Sequence, residues 1–236
     1  MSPTLLLLAL LSGPATAAPV DDLNLAAASD VPAVARQEAF DRLVVNGLTD
    51  TALVHQVAAD PSADTRKRWV AIRVLGHVGG DRAEQALISL LDDPQPAIRA
   101  AVAGALGETG TMRHTPSVVA LLEDPAIIVR AEAATALAQL RDPRAVPALA
   151  KALEAKSGYR HDTSLWVRRH YVLALGSIGH KDGIPALVRA LDDEDLQVAE
   201  AAIPALEQIG GFSMGEGRSW EQQREAWRRW GQAQAR

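Results

Sequence analysis

The sequence predicts an all-α superhelix built from stacked two-helix units, and three regularities carry this prediction. An arginine recurs at intervals of 31, 31 and 38 residues. A leucine follows seven residues after each arginine, and a glycine usually comes four residues later. The arginine column comprises Arg68, Arg99, Arg130 and Arg168, with Ala199 in the next place. Repetition at this period is typical of a solenoid, in which each unit packs only against its neighbours.

The composition agrees with closely packed helices and disfavours several classes of protein. Apolar residues make up 48% of the 236 residues but aromatic residues only 4%, so small side chains carry much of the packing. The absence of cysteine excludes disulfides, thiolate metal sites and a cysteine nucleophile, and no lipid attachment through cysteine is expected. The net charge of −5 argues against a nucleic-acid partner.

Residues 1–17 resemble a secretory signal peptide. Leu5–Leu11 is the apolar run, and Ala15–Ala17 matches the small-residue cleavage motif. The run is too short to cross a membrane, and no membrane span is expected later in the chain. No lysine or arginine precedes the run, which departs from the usual pattern. We expect a periplasmic or secreted mature chain; a mis-assigned start or a buried helix is the alternative.

Each repeat unit is predicted to contain two helices, named helix A and helix B. Helix A starts near a proline column, because the missing N–H of proline has no partner in a first helical turn anyway. This column comprises Pro116, Pro147 and Pro185. An acidic residue ends helix A and caps helix B. The acidic column comprises Asp30, Asp93, Asp124, Asp162 and Asp193.

Helix B carries the arginine column near its first turn and a wide apolar face, as expected for a helix buried on two sides. In one unit this face comprises Ile98, Val102, Ala103, Ala105, Leu106 and Thr109. The closing glycine suits a left-handed residue after the helix. That column comprises Gly47, Gly79, Gly110, Gly179 and Gly210, with Arg141 as the exception. We expect the arginines and aspartates to form a structural ladder between units.

These patterns divide the chain into regions. After the signal peptide, residues 18–48 are expected to form an N-terminal capping helix or a divergent half-repeat, and residues 49–211 the repeat array. Residues 212–236 are expected to contain a linker and a C-terminal helix that starts at a capping box, Ser219–Gln222.

Three tryptophans, Trp220, Trp227 and Trp230, share one face of this last helix. An uncapped end of a repeat array would leave an apolar surface bare. We therefore expect a Trp-bearing helix that caps the stack; a helix that binds a membrane or a partner is the alternative.

The segment from Asp93 through Gly110 resembles the bacterial HEAT repeat, in the variant named after phycobilisome lyases. Asp124–Leu140 and Trp166–Gly179 match the same pattern, and the resemblance covers roughly residues 30–210. It implies a HEAT-repeat solenoid with helix A on the convex side and helix B on the concave side. The family includes bilin lyases, deoxyhypusine hydroxylases, alkylbase DNA glycosylases and non-catalytic scaffolds.

The residues of this chain disfavour the enzymes of that family. In the hydroxylases, repeated His-Glu pairs supply the iron ligands. None of the six histidines of this chain is followed by glutamate. A DNA glycosylase needs a basic groove, which the acidic charge argues against. A bilin lyase acts in the cytoplasm, where an exported chain would not meet its partner.

The first candidate site is the concave face. Positions one, five and nine residues after the arginine column lie one turn apart and are expected to face that side. In the four units they comprise Trp69, Arg73 and His77; Ala100, Gly104 and Glu108; Ala131, Thr135 and Gln139; and Arg169, Leu173 and Ser177. Large side chains thus flank a small-residue floor that would accept an extended segment or a helix, with Trp69 and Arg169 as anchors. The alternative is that the small residues only permit tight curvature.

The second candidate site is the 38-residue interval, whose seven extra residues fall between helices A and B of the fourth unit. Insertions in repeat arrays map to loops on one face, often the binding face. Tyr159, His161 and His170 lie in or beside it. The two histidines lack a third ligand at a diagnostic spacing, so no metal site is expected. The alternative is a loop that has no function, with Trp166 in the core.

We therefore predict a non-catalytic interaction or scaffolding module that binds a protein partner on the concave helix-B face, as a monomer and without a cofactor. The alternative is an enzyme or enzyme subunit related to phycobilin lyases, with its site at the insertion. A purely structural module is a third hypothesis, because a fold alone does not define a function.

Overall fold

The structure is a computed structural model that describes residues 19–47, 51–161 and 163–234. These residues form thirteen α-helices and one antiparallel hairpin of β1 (Tyr159–Arg160) and β2 (Thr163–Ser164). The helices are α1 (Pro19–Ala27), α2 (Ala33–Gly47), α3 (Thr51–Ala59), α4 (Thr65–Val78), α5 (Gly80–Ile88), α6 (Pro96–Glu108), α7 (Thr115–Ala120), α8 (Ile127–Leu140), α9 (Val146–Glu154), α10 (Val167–Ile178), α11 (Ile184–Ala190), α12 (Leu196–Gly210) and α13 (Trp220–Gln234). The expected signal peptide lies outside the described residues and stays a prediction.

The helices alternate between short helices A and longer helices B, and the all-α solenoid is confirmed. Five pairs follow in order: α3–α4, α5–α6, α7–α8, α9–α10 and α11–α12. Consecutive helices B pack directly against one another from α4 to α12. Residues 19–47 contain two helices, α1 and α2, which pack against each other and against α4. The N-terminal region therefore adds a sixth helix pair.

The start of helix A follows the proline column. The three prolines lie in the first turn of α7, α9 and α11. A short 3-10 turn precedes each of these helices: Met112–His114, Pro143–Ala145 and Lys181–Gly183. The chain therefore begins to coil before the proline. The proline is tolerated because a backbone N–H in the first turn would have no intrahelical acceptor, so its absence breaks no hydrogen bond.

The ends of helix B use left-handed residues, with two departures from the predicted positions: Gly47 is still part of α2, and the turn expected at Gly210 moves by one residue. Gly110, Gly179 and Arg141 have φ of 67°, 72° and 51°. Gly210 is still helical, and Gly211 with φ of 74° ends α12 instead. Because two glycines are adjacent, the helix continues for one more residue before the left-handed turn.

Successive helices B approach each other where a glycine of one faces an alanine of the next. The three contacts are Gly76 on Ala105, Gly107 on Ala136 and Gly176 on Ala205. A Cβ at Gly176 would lie 2.7 Å from both Cα and Cβ of Ala205. No carbon atom tolerates that separation, so the glycines set how closely the units stack.

The arginine and acidic columns form the expected ladder between units. Its ion pairs are Arg68–Asp93, Arg99–Asp124 and Arg168–Asp193. Arg99 donates to the two carboxylate oxygens of Asp124 at 2.7 and 2.8 Å, and also to the Asp93 carbonyl at 2.8 Å. One side chain thus links the turn of its own unit to the turn of the next.

The environment of Asp124 keeps its carboxylate charged. Burial alone raises the pKa of Asp124, but hydrogen bonds from Arg99 and from the Ala126 amide, with the charges of Arg99 and Arg130, lower it by more. The net pKa lies below the ordinary value of 3.8. At neutral pH the ladder therefore contains a fully ionised, hydrogen-bonded pair, the arrangement in which a buried charge is tolerated.

The C-terminal helix α13 packs against α11 and α12, and the Trp-bearing helix is confirmed. Trp227 is completely buried, and its ring stacks on Phe212 with centroids 5.2 Å apart. The capping box is formed as predicted: the Ser219 amide donates to Gln222 Oε1 at 2.9 Å, and the Gln222 amide donates to Ser219 Oγ at 3.4 Å. This helix covers the last repeat.

We expect Gly176→Ala to lower the free energy of unfolding by about 1–3 kcal/mol, because the added methyl group forces α10 and α12 apart. Gly104→Ala is the matched control, since its Cβ would meet only Glu132, at 3.8 Å. That variant should gain about 0.5–1 kcal/mol from the better helix former. Urea denaturation of both variants measures the difference; equal stabilities would contradict the close packing.

Candidate functional site

A cleft opens on the face formed by successive helices B, and we call it the B-face cleft. Its volume is about 360 Å³, with α6 as its floor and α4 and α8 as its walls. Trp69 and Arg73 project from α4, and Ile128 and Glu132 from α8. The floor comprises Ala97, Ala100, Ala101, Gly104 and Ala105, with Glu108 beside them. Three of the predicted binding residues, Trp69, Arg73 and Glu108, therefore line one cavity.

A network of charged and aromatic groups orders one side of the B-face cleft. The Arg73 guanidinium lies 5.1 Å from the Trp69 ring centroid and 5.3 Å from that of Phe40, within the range of a cation–π contact. Glu108 lies 3.7 Å from Arg73 Nη2 and 3.2 Å from His77 Nδ1. His77 does not line the cleft; its Nδ1 also lies 3.0 Å from the Arg73 carbonyl.

Glu132 on the opposite wall has a different environment. Within the described part of the chain, its carboxylate makes no hydrogen bond or ion pair, and desolvation is the one influence on its pKa. It lies over the floor, because a Cβ at Gly104 would be 3.8 Å from Glu132 Oε2. Burial raises the pKa of Glu132 above its ordinary value of 4.5. The cleft thus holds a half-buried acid without a partner group.

Apolar side chains continue along the helix-B face beyond the cleft. Ile128, Trp166 and Leu173 are 43%, 46% and 37% exposed, although they are large and apolar. Trp166 is thus a surface residue and not part of the core; it meets His170 edge to face at 5.2 Å. These three side chains extend the apolar surface of the helix-B face from α8 to α10.

Arg169 is exposed on α10 and does not line the B-face cleft. The wall opposite Trp69 is formed by Ile128 and Glu132 of the intervening helix α8. These residues lie two before and two after the arginine column, and not one, five or nine residues after it. Trp69 and Arg169 therefore do not border the same cleft, and a binding role for either residue stays a prediction.

The insertion in the fourth unit folds as the β1–β2 hairpin. Tyr159 lies in β1, and its ring centroid is 4.4 Å from the Arg168 guanidinium. The acidic-column residue of this unit, Asp162, lies outside the described residues. Arg130 donates to the Ser157 carbonyl at 3.1 Å. The insertion thus joins the ladder through its backbone.

The predicted residues of the insertion do not converge on one site. Tyr159 borders a second recess of about 710 Å³ next to the acidic turn Asp192–Asp195, whereas His161 and His170 do not line it. Partial burial raises the pKa of Tyr159, and nearby acidic groups including Asp193 raise it further against the charge of Arg168. Burial first, and then the Arg169 charge, lower the pKa of His170.

The described residues contain neither a cluster of metal ligands nor a membrane-spanning helix. In residues 19–47, 51–161 and 163–234, no three side chains of histidine, aspartate or glutamate cluster closely enough to hold a metal ion. No helix within these ranges has both the length and the apolar character needed to cross a membrane.

Stacked helix pairs joined by an arginine–aspartate ladder define a protein of the α-solenoid class. A family model described as HEAT repeats matches residues 51–126, 105–161 and 155–214, more than half of the chain. The chain belongs to the HEAT-repeat family, and its repeats are of the phycobilisome-lyase-like type. No curated protein sequence is significantly similar to it.

Solved structures agree with this assignment. The complex of CpcE and CpcF of phycocyanin lyase from Nostoc sp. PCC7120 is 29% identical over 67% of this chain, with a TM-score of 0.58. The match spans 64% of the length of that lyase chain. YibA of Escherichia coli is 18% identical, with 81% of this chain and 70% of that chain covered and a TM-score of 0.59. The second likeness supports the fold alone.

We expect Glu132→Gln to stabilise the protein at neutral pH. The folded-state pKa of Glu132 is raised, so the contribution of this group to stability is present below pH 4.5 and is lost as the pH rises through the folded-state pKa and the carboxylate ionises in the cleft. The variant should be more stable than wild type at neutral pH and equal to it well below pH 4.5. Urea denaturation at both pH values measures this.

Glu108→Gln is the control for that experiment, because Arg73 and His77 already surround the Glu108 carboxylate. No gain is expected for it. A Glu132→Gln variant that is less stable than wild type at neutral pH would show that Glu132 has a stabilising partner.

Proposed function

We propose that this chain is a non-catalytic interaction module that binds a segment of a protein partner on its concave helix-B face. The observation that carries the proposal is the B-face cleft, where the 41% exposed Trp69 borders a floor of alanines and a glycine. Exposed tryptophans beside a recess are typical anchors in protein interfaces. The row of Ile128, Trp166 and Leu173 extends the apolar surface that a segment would cover.

The chemistry of the cleft supports binding over catalysis. The side chains that line it include no serine, threonine, cysteine or histidine, so no hydroxyl or thiol nucleophile faces a general base there. Its ionisable groups are Arg73, Glu108 and Glu132. Arg73 and Glu108 face each other, which leaves a groove with fixed walls and one unpaired acid.

Selection of random linear peptides displayed on phage tests this proposal with the full chain immobilised. Wild type should enrich a shared motif. Gly104→Leu should lose the enriched peptides, with affinity lowered about tenfold or more, because the leucine side chain fills the floor where Gly104 now leaves space. Trp69→Ala should act in the same direction.

Ile88→Ala is the matched control, because Ile88 is an exposed apolar residue of a helix A, α5. It should bind the enriched peptides as wild type does. Circular dichroism of every variant verifies folding. No shared motif with wild type, or equal binding by Gly104→Leu, would refute a binding role for the cleft.

The likeness to phycocyanin lyase supports a second candidate, an enzyme or enzyme subunit related to phycobilin lyases with its site at the insertion. Chromophore attachment to apo-phycocyanin, followed by visible absorbance with and without this chain, distinguishes the two functions. The first proposal expects no attachment above the control. Attachment that falls when Tyr159→Phe or His161→Ala is introduced would favour the lyase function and place it at the β1–β2 hairpin.

A further inference from the structure

The two acids of the B-face cleft differ in one respect that concerns its occupant. Glu108 has Arg73 and His77 within 3.7 Å and 3.2 Å. Glu132 has no charged or hydrogen-bonding partner among the described residues, although it is partly withdrawn from water. A partly buried carboxylate without a partner is unfavourable, because desolvation of a charge is repaid only by an opposite charge or by hydrogen bonds.

The remaining cation of the cleft is not available to Glu132. Arg73 lies over the rings of Phe40 and Trp69 and faces Glu108, so its position is fixed on the α4 side. The lining residues therefore carry two formal negative charges and one positive charge. The excess negative charge lies on α8, at Glu132.

The surface that leads to Glu132 is apolar and narrow. Ala97, Ala101 and Gly104 form the floor next to it, and Ile128 lies one helical turn before it on α8. A long alkyl chain fits such a surface, and its charged end can then meet the carboxylate. Lysine and arginine have this combination, since their methylene stems cover apolar surface while their heads remain polar.

We propose that the B-face cleft binds a basic side chain, lysine or arginine, of an extended segment in the partner protein, with Glu132 as its counter-charge. This inference rests on the proposed binding function and adds the chemistry of the partner. The stem lies on the floor by Gly104 and Ile128, and the cationic head pairs with Glu132. Trp69 on the opposite wall covers the neighbouring apolar residues of the segment.

Two synthetic peptides test this charge pairing. The first is the peptide most enriched by wild type, and the second replaces its basic residue by norleucine for lysine or citrulline for arginine. Norleucine keeps the four-carbon stem of lysine without its ammonium group, and citrulline keeps the length of arginine, so both substitutions remove the charge. Dissociation constants are measured by fluorescence anisotropy for wild type, Glu132→Gln and Ile88→Ala.

Loss of the peptide charge should weaken binding to wild type and to Ile88→Ala about tenfold, in the range of a charge-assisted hydrogen bond. Glu132→Gln should bind the two peptides equally, since the residue that recognises the charge is absent. Glu132→Gln is expected to fold, so a change in the peptide preference reports recognition and not stability.

Two results would overturn the inference while leaving the binding function intact. One is an enriched motif without a conserved basic position, and the other is an equal effect of peptide charge on wild type and on Glu132→Gln. Failure of wild type to enrich any motif would remove the proposed function and this inference together. A dimer that Gly104→Leu dissociates would make a second copy of the chain the occupant, which also overturns the inference.

Discussion

The contact between a glycine of one helix B and an alanine of the next determines the spacing of three of the four helix-B interfaces, α4–α6, α6–α8 and α10–α12. At Gly176 and Gly76 there is no room even for a methyl group against the neighbouring helix. Backbones that approach this closely bring their turns into register, so that Arg99 can reach both the Asp93 carbonyl and the Asp124 carboxylate. The ion-pair ladder is therefore a consequence of the stacking as well as a contributor to it.

The same spacing creates the B-face cleft. Because α6 is rich in alanine and contains Gly104 on its open side, it lies lower than the side chains of its two neighbours. The larger side chains of Trp69 on α4 and Glu132 on α8 form the walls of the cleft. A small-residue helix between two helices with larger side chains thus supplies a recess without any irregularity of the backbone.

The fold could be predicted from the sequence because repetition multiplies weak signals. One arginine near an aspartate means little, but Arg68, Arg99 and Arg168 at matching positions identify the unit and its register. The shift of the left-handed turn from Gly210 to Gly211 was not predictable from the column, since both residues are glycine and the packing of α13 follows there.

The lining of the cleft was predictable only in part. Helical periodicity places Trp69, Arg73 and Glu108 on the open face, so their positions could be predicted. The positions of Glu132 and Ile128 could not, because they depend on the offset between neighbouring helices, which the sequence of one helix does not contain. The same offset places α8 between Arg169 and the cleft. The absence of a basic partner at helical spacing from Glu132 was the signal that could have indicated it.

The cap at the end of the array affects how copies of this chain meet each other. Each helix pair presents an apolar surface that the next pair covers, and a bare last pair would accept the first pair of another molecule. Such head-to-tail contacts do not close, and they produce filaments. Trp227 fills this surface, and Gly231 lets α13 approach Val188 closely. At this end of the described array, α13 therefore occupies the surface on which a further repeat would pack.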